Sequence, residues 1–116
     1  MTAPIVTTAD LYTGLQALIG KDSAYAVGKL LGATNQGACN WRDGKCVMDD
    51  VFGLRAANAL GLDSDYVLAC LAVERAARAD SAEVAAVWRH VALRLATAAG
   101  VFFLVFSSVL QLVGPV

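Results

Sequence analysis

Charge is what this sequence has least of. Only 16% of the 116 residues are Asp, Glu, Lys or Arg, and 58% are hydrophobic. That balance is too apolar for an ordinary soluble domain. The shortage is uneven, because no charged side chain follows Arg94. A surplus of positive charge is missing as well. The formal net charge is −1, so any contact with nucleic acid must rest on a local patch. Histidine occurs once, at His90, and cysteine three times, at Cys39, Cys46 and Cys70. That set has no zinc-finger spacing. No basic stretch precedes an apolar run at the start, and with an odd number of thiols this points to reduced cysteines in a cytosolic domain. One histidine leaves no nucleophile–base pair to assemble, so no enzyme, metal site or cofactor is expected. No stretch alternates with the period of a strand, and there is no internal repeat or low-complexity linker.

What the chain does have is helical spacing, closely punctuated. The pattern predicts a helix over 10–19, with Leu11, Leu15, Leu18 and Ile19 on one face, Thr8 or Asp10 as cap and Gly20 as end. A second is predicted over 23–31. The Ser23 hydroxyl can accept from the free amides there, Val27, Leu30 and Leu31 form the apolar face, and Gly32 supplies a left-handed exit. A third, short helix follows over 34–41 with Thr34 as cap, and Asp43-Gly44 marks a turn. Asp49 or Asp50 reads as the cap of a fourth helix rather than as a metal or catalytic pair. That helix runs to Leu60, turns Val51, Leu54, Ala57 and Leu60 inward, and closes at Gly61. Asp63 or Ser64 opens a fifth, with Tyr66, Val67, Leu71 and Val73 on it. Asp80-Ser81-Ala82-Glu83 has the form of a capping box built on aspartate, and opens a last helix expected to reach about Leu112. The expected fold class is all-α.

Residues 27–41, VGKLLGATNQGACNW, carry the main functional reading. Two helices joined by a tight turn pack at a steep angle, which requires a small residue at the crossing, glycine in the turn and apolar residues on both inner faces. Gly28 is the small residue and Gly32 the turn. Val27 and Leu31 line one inner face, Ala38 and Trp41 the other. With the trailing Trp41-Arg42-Asp43-Gly44 and the helices on either side, the segment resembles the lambda-repressor/Cro-like helix-turn-helix family over about residues 10–78. The resemblance implies a five-helix DNA-binding domain, placed at 9–79, whose third helix enters the major groove of double-stranded DNA. It implies base contacts from the outward residues Thr34, Asn35, Gln36, Cys39 and Asn40, where asparagine and glutamine suit bidentate pairing with adenine. Lys21, Lys29, Arg42 and Lys45, in the modestly basic segment 21–45, would hold phosphates. The third helix departs from the pattern in two ways: no Lys or Arg lies within it, and Gly37 sits at its middle at a cost of about 1 kcal/mol. One copy would then bind weakly, and a homodimer is expected, as is usual for the family. The alternative is that these are solvated residues of a helical domain with another task. Cys39, placed on the outward face, has no adjacent basic group to activate its thiol. Cys70 reads as a small core hydrophobe.

Residues 95–113, LATAAGVFFLVFSSVLQLV, are uncharged and apolar around the whole helix circumference, and at 1.5 Å per residue they span about 28 Å, near the thickness of a hydrocarbon core. This predicts a long C-terminal helix containing a transmembrane span. Arg89, His90 and Arg94 precede it and nothing basic follows. The expectation is a single pass in the inner membrane with the N-terminal domain in the cytoplasm and Trp88 at the membrane interface. The competing reading is a buried dimerisation helix. The stripe Val84, Val87, Trp88, Val91, Leu95 in the connector 80–94 and its continuation could pack on the fifth helix or pair with a second chain. Two functions remain open. One is a membrane-tethered transcriptional regulator, similar in kind to accessory proteins of filamentous phages. The other is a membrane-anchored phage morphogenesis or adaptor protein that binds a protein partner or DNA without sequence choice.

Overall fold

In the computed structural model the described residues are 5–98, and the regular structure among them is six α-helices with no strand. They are α1 Thr8–Ile19, α2 Ala24–Leu31, α3 Asn35–Arg42, α4 Asp50–Leu60, α5 Ser64–Arg78 and α6 Ala82–Ala98. The all-α expectation and the order of elements hold. The predicted helix ends hold to within two residues where both ends are described. Ser23, Thr34, Asp49 and Asp63 are the N-caps of α2, α3, α4 and α5, and all but Asp49 accept from a backbone amide of the first turn. These acceptors satisfy donors that a helix start leaves without a partner.

The cap of α1 is a correction. Neither Thr8 nor Asp10 is the capping residue. Thr7 is, and Asp10 is its reciprocal partner: the Thr7 hydroxyl accepts from the Asp10 amide at 3.2 Å, and the Thr7 amide donates to Asp10 Oδ2 at 3.0 Å. Thr8 is drawn elsewhere. Its amide and hydroxyl both donate to Glu74 Oε1 at 2.8 Å, and its hydroxyl accepts from the Met48 amide at 3.0 Å. One buried threonine thus ties the start of α1 to α5 and to the segment leading into α4.

The core contains Leu11, Leu15, Val27, Leu31, Trp41, Tyr66, Val67 and Leu71, together with Val6 and Met48 from connecting segments. Burial pushes the Tyr66 phenol and the Cys70 thiol above their usual ranges, as desolvation of their charged forms requires. The faces of three helices differ from expectation. On α4 the inward residues are Gly53, Ala56 and Ala57, while Val51 and Leu54 are exposed. A side chain on Gly53 would collide with Leu71, so α4 lies against α5 through its smallest residues. Leu18 and Leu30, expected on apolar faces, are also exposed.

The start of α6 is corrected too. Asp80 adopts a left-handed backbone, φ 59°, and lies one residue too early to cap a helix that begins at Ala82. The helix then packs along α5 through Ala85, Ala92 and Ala96, spaced for one face and nearly fully buried. No helix among the described residues is long and apolar enough to cross a membrane. Of the expected span 95–113, residues 95–98 form the last turn of α6 and the rest lies outside the described residues.

Candidate nucleic-acid interface

α2 ends because Gly32 takes φ 75°, a left-handed conformation that costs a side-chain-bearing residue energy. The Ala33 amide closes the turn on the Gly28 carbonyl at 2.7 Å. Thr34 then starts α3, its hydroxyl accepting from the Gly37 amide at 3.0 Å. The two helices cross at Gly28. A Cβ there would lie 3.0 Å from the Thr34 carbonyl oxygen and 3.2 Å from that of Ala33, backbone atoms with little room to yield. All four predicted inner residues, Val27, Leu31, Ala38 and Trp41, are buried. Trp41 also leans on Phe52 of α4, ring centroids 5.4 Å apart.

One residue that sequence reasoning missed completes the turn. Arg55 of α4 donates to the Leu31 carbonyl at 2.8 Å and lies over the Phe52 ring, 5.7 Å from its centroid. It satisfies an end carbonyl of α2 and places a cation beside the turn. No local signal in the sequence marks it, because the bond joins residues 24 apart.

The predicted contact residues do not all face the same way. Asn35 and Gln36 are exposed on the first turn of α3. Gln36 Nε2 donates to Asn40 Oδ1 at 3.0 Å, one helical turn on, which holds both amides on one strip of the surface although Asn40 is half-buried. Thr34 is exposed, but its hydroxyl oxygen is committed to the cap. Cys39 is a correction: it is half-buried and packed against the core instead of facing outward, because the helix turns the Ala38–Cys39 side toward α1 and α2.

The cations separate into two groups. Lys21 and Lys29 line a shallow depression with Tyr25 and Leu30, and Lys29 Nζ sits 5.8 Å above the Tyr25 ring. Arg42 and Lys45 lie at the far end of α3, both exposed. Arg42 is paired with Asp43, Nε to Oδ1 at 2.9 Å. That hydrogen bond holds the Asp43 carboxyl below its usual range and the guanidinium above its own. Arg42 would have to exchange this neighbour for a phosphate.

Tyr12 of α1 lies among Arg42, Asp22, Cys39 and Asp43, and its hydroxyl is buried without a hydrogen-bond partner among the described residues. Burial raises its pKa, and the Arg42 charge opposes the rise. An unmet buried hydroxyl costs about 1–3 kcal/mol. Tyr12→Phe should therefore leave the fold intact and stabilise it by about 1 kcal/mol in a urea titration. A loss of stability of that size would mean that the hydroxyl is bonded.

Among the described residues no three His, Cys, Asp or Glu side chains group closely enough to hold a metal ion. No family model, no curated protein and no solved structure matches the chain.

Proposed function

We propose that the chain is a membrane-tethered DNA-binding protein and acts as a transcriptional regulator of the phage type. In this reading a lambda-repressor/Cro-like helix-turn-helix domain occupies 9–79, and 80–94 connects it to an inner-membrane span over 95–113, with the domain on the cytoplasmic side. The observation that carries the reading is the unit built by α2, the Gly32 turn and α3. Its helices meet at a glycine where backbone atoms leave no space for a side chain, and the capped first turn of α3 carries exposed Asn35 and Gln36. A short helix held this firmly at its base, with amides on its free face, suits insertion in a major groove. Asn35 and Gln36 read bases. Lys21, Lys29 and Lys45, with Arg42 once released from Asp43 and Arg55 beside the turn, neutralise phosphates.

The expected outcome is a loss of about 1–3 kcal/mol in affinity for a specific site in each of Asn35→Ala and Gln36→Ala, with relaxed base choice at one position. Gel-shift titration of both variants on that site measures it. Binding equal to wild type in both removes α3 as the reading helix.

A second reading has its own support. With Arg42 bound to Asp43, no free cation lies within α3, and this favours an adaptor that meets a protein, or DNA without sequence choice, through the same face. Its signature is identical affinity for any duplex, with the whole of the binding lost to salt.

A further inference from the structure

The corner between α1 and α2 leaves large apolar side chains in water. Leu18 is 55%, Tyr25 62% and Leu30 47% exposed. Tyr25 and Leu30, with Ile19, Lys21 and Lys29, line the shallow depression between the end of α1 and the outward face of α2. Neither lysine is in an ion pair among the described residues. Asp22, the acid beside Lys21, accepts instead from Gln16 Nε2. A DNA backbone would give the lysines their partner and leave the leucines and the tyrosine ring uncovered. An anionic lipid surface answers both, because phosphate lies outermost and acyl carbon just beneath it. Lysine heads reach the phosphates, tyrosine takes the interface and leucine enters below.

The topology sets this corner at the end of the domain where α6 finishes. Asp65, in the first turn of α5, and Leu95, near the end of α6, line one groove. α4 runs against α5 in the opposite sense: Asp50 at its start pairs with Arg75, Gly53 faces Leu71, and Leu60 ends it four residues before α5 begins. α1 does the same. Thr8 at its start bonds Glu74, while Gly14 faces the Leu60 side chain. Leu18 and Ile19 lie one turn further along α1, so they share a level with the start of α5 and the last turn of α6. The charge-free run leaves the domain at this end. Asp63 and Asp65 open α5 there, so the α1–α2 corner, and not the start of α5, is the part that suits an anionic surface.

We propose that the α1–α2 corner docks on an anionic lipid surface, Leu18, Tyr25 and Leu30 entering the interface and Lys21 and Lys29 holding lipid phosphates. The inference rests on the tether over 95–113 for its orientation, since that tether keeps this end of the domain against a bilayer. It adds a regulation to the DNA-binding reading. DNA and lipid draw on the same two lysines, so the docked form withdraws them from DNA phosphates.

The experiment reconstitutes the full chain in vesicles that carry a lipid-borne fluorescence quencher. One set is phosphatidylcholine alone and the other contains phosphatidylglycerol. A thiol-reactive fluorophore is placed at Leu18→Cys in a Cys39→Ala, Cys46→Ala background, where Cys70 stays buried and silent. A second variant carries it at Val51→Cys, equally exposed but at the opposite end, in the first turn of α4. The Leu18 label should be quenched in phosphatidylglycerol and nearly untouched in phosphatidylcholine, and the Val51 label untouched in both. Lys21→Gln and Lys29→Gln should each lower the ratio of docked to free domain about fivefold. A Leu18 label that stays bright on phosphatidylglycerol overturns the proposal. So does equal quenching in the two lipids, equal quenching at Val51, or full quenching with both lysines replaced. Flotation with phosphatidylcholine vesicles reads the tether separately. A chain that floats there with its Leu18 label bright on phosphatidylglycerol keeps the tether and loses the docking. A chain that does not float there, yet is quenched on phosphatidylglycerol, loses the tether and keeps the docking.

Discussion

Trp41→Ala should cost about 3–5 kcal/mol, the range for truncating a large buried aromatic. Trp41 is 4% exposed, ends the inner face of α3, and supports Phe52, which in turn lies under Arg55 at the α2–α3 turn. Removing it takes away the contact that seats α3 on the core and loosens the ring that orients the turn. A small domain has about 5–15 kcal/mol in all, so the variant should melt tens of degrees lower or without cooperativity. Thermal melting of the full chain followed by circular dichroism measures this. Trp41→Phe should recover part of the loss. If Trp41→Ala melts like wild type, the packing of α3 described here is wrong.

The other large effect concerns the charge-free C-terminal run. Phe103 stands near the middle of 95–113, and an arginine at the centre of a membrane helix costs about 2.5–3.5 kcal/mol of insertion free energy. Wild type should sediment with membranes and resist alkaline extraction. Phe103→Arg should release a large share of the chain to the cytosol. A wild-type chain found in the soluble fraction would refute the tether. If Phe103→Arg instead accumulates as aggregate, the run is a buried helix of a soluble assembly.

Helix boundaries were legible because each is set by one or two residues with strong local preferences. Gly20, Gly32 and Gly61 take the left-handed exit, and Ser23, Thr34 and Asp63 supply cap acceptors, all within a few residues of the amides they serve. The crossing at Gly28 was legible for a related reason, since only glycine leaves space for backbone contact. What the sequence hid depends on distant neighbours. Thr8 is drawn from capping to Glu74, 66 residues away, and Arg55 reaches the end of α2. The wrong face of α4 has a plain physical cause. Reading by large aliphatic residues placed Val51 and Leu54 inward beside Ala57, whereas the buried residues of α4 are Gly53, Ala56 and Ala57, and Gly53 meets Leu71 of α5. Close helix packing uses small residues, and a hydrophobic count passes over them. Cys39 was misplaced because it neighbours Ala38 on the side of α3 that packs on the core beside α2, not on the side that carries Asn35 and Gln36.

The central claim is that the first turn of α3 reads a DNA sequence. Selection from a pool of random duplexes by the full chain in detergent, at near-physiological salt, tests it most directly. The account predicts enrichment of one short motif, adenine-rich where Asn35 and Gln36 reach, occurring as an inverted pair if two copies bind, and lost when both residues are alanine. Recovery of duplexes with no common sequence, or of the same motif by the double variant, would contradict it.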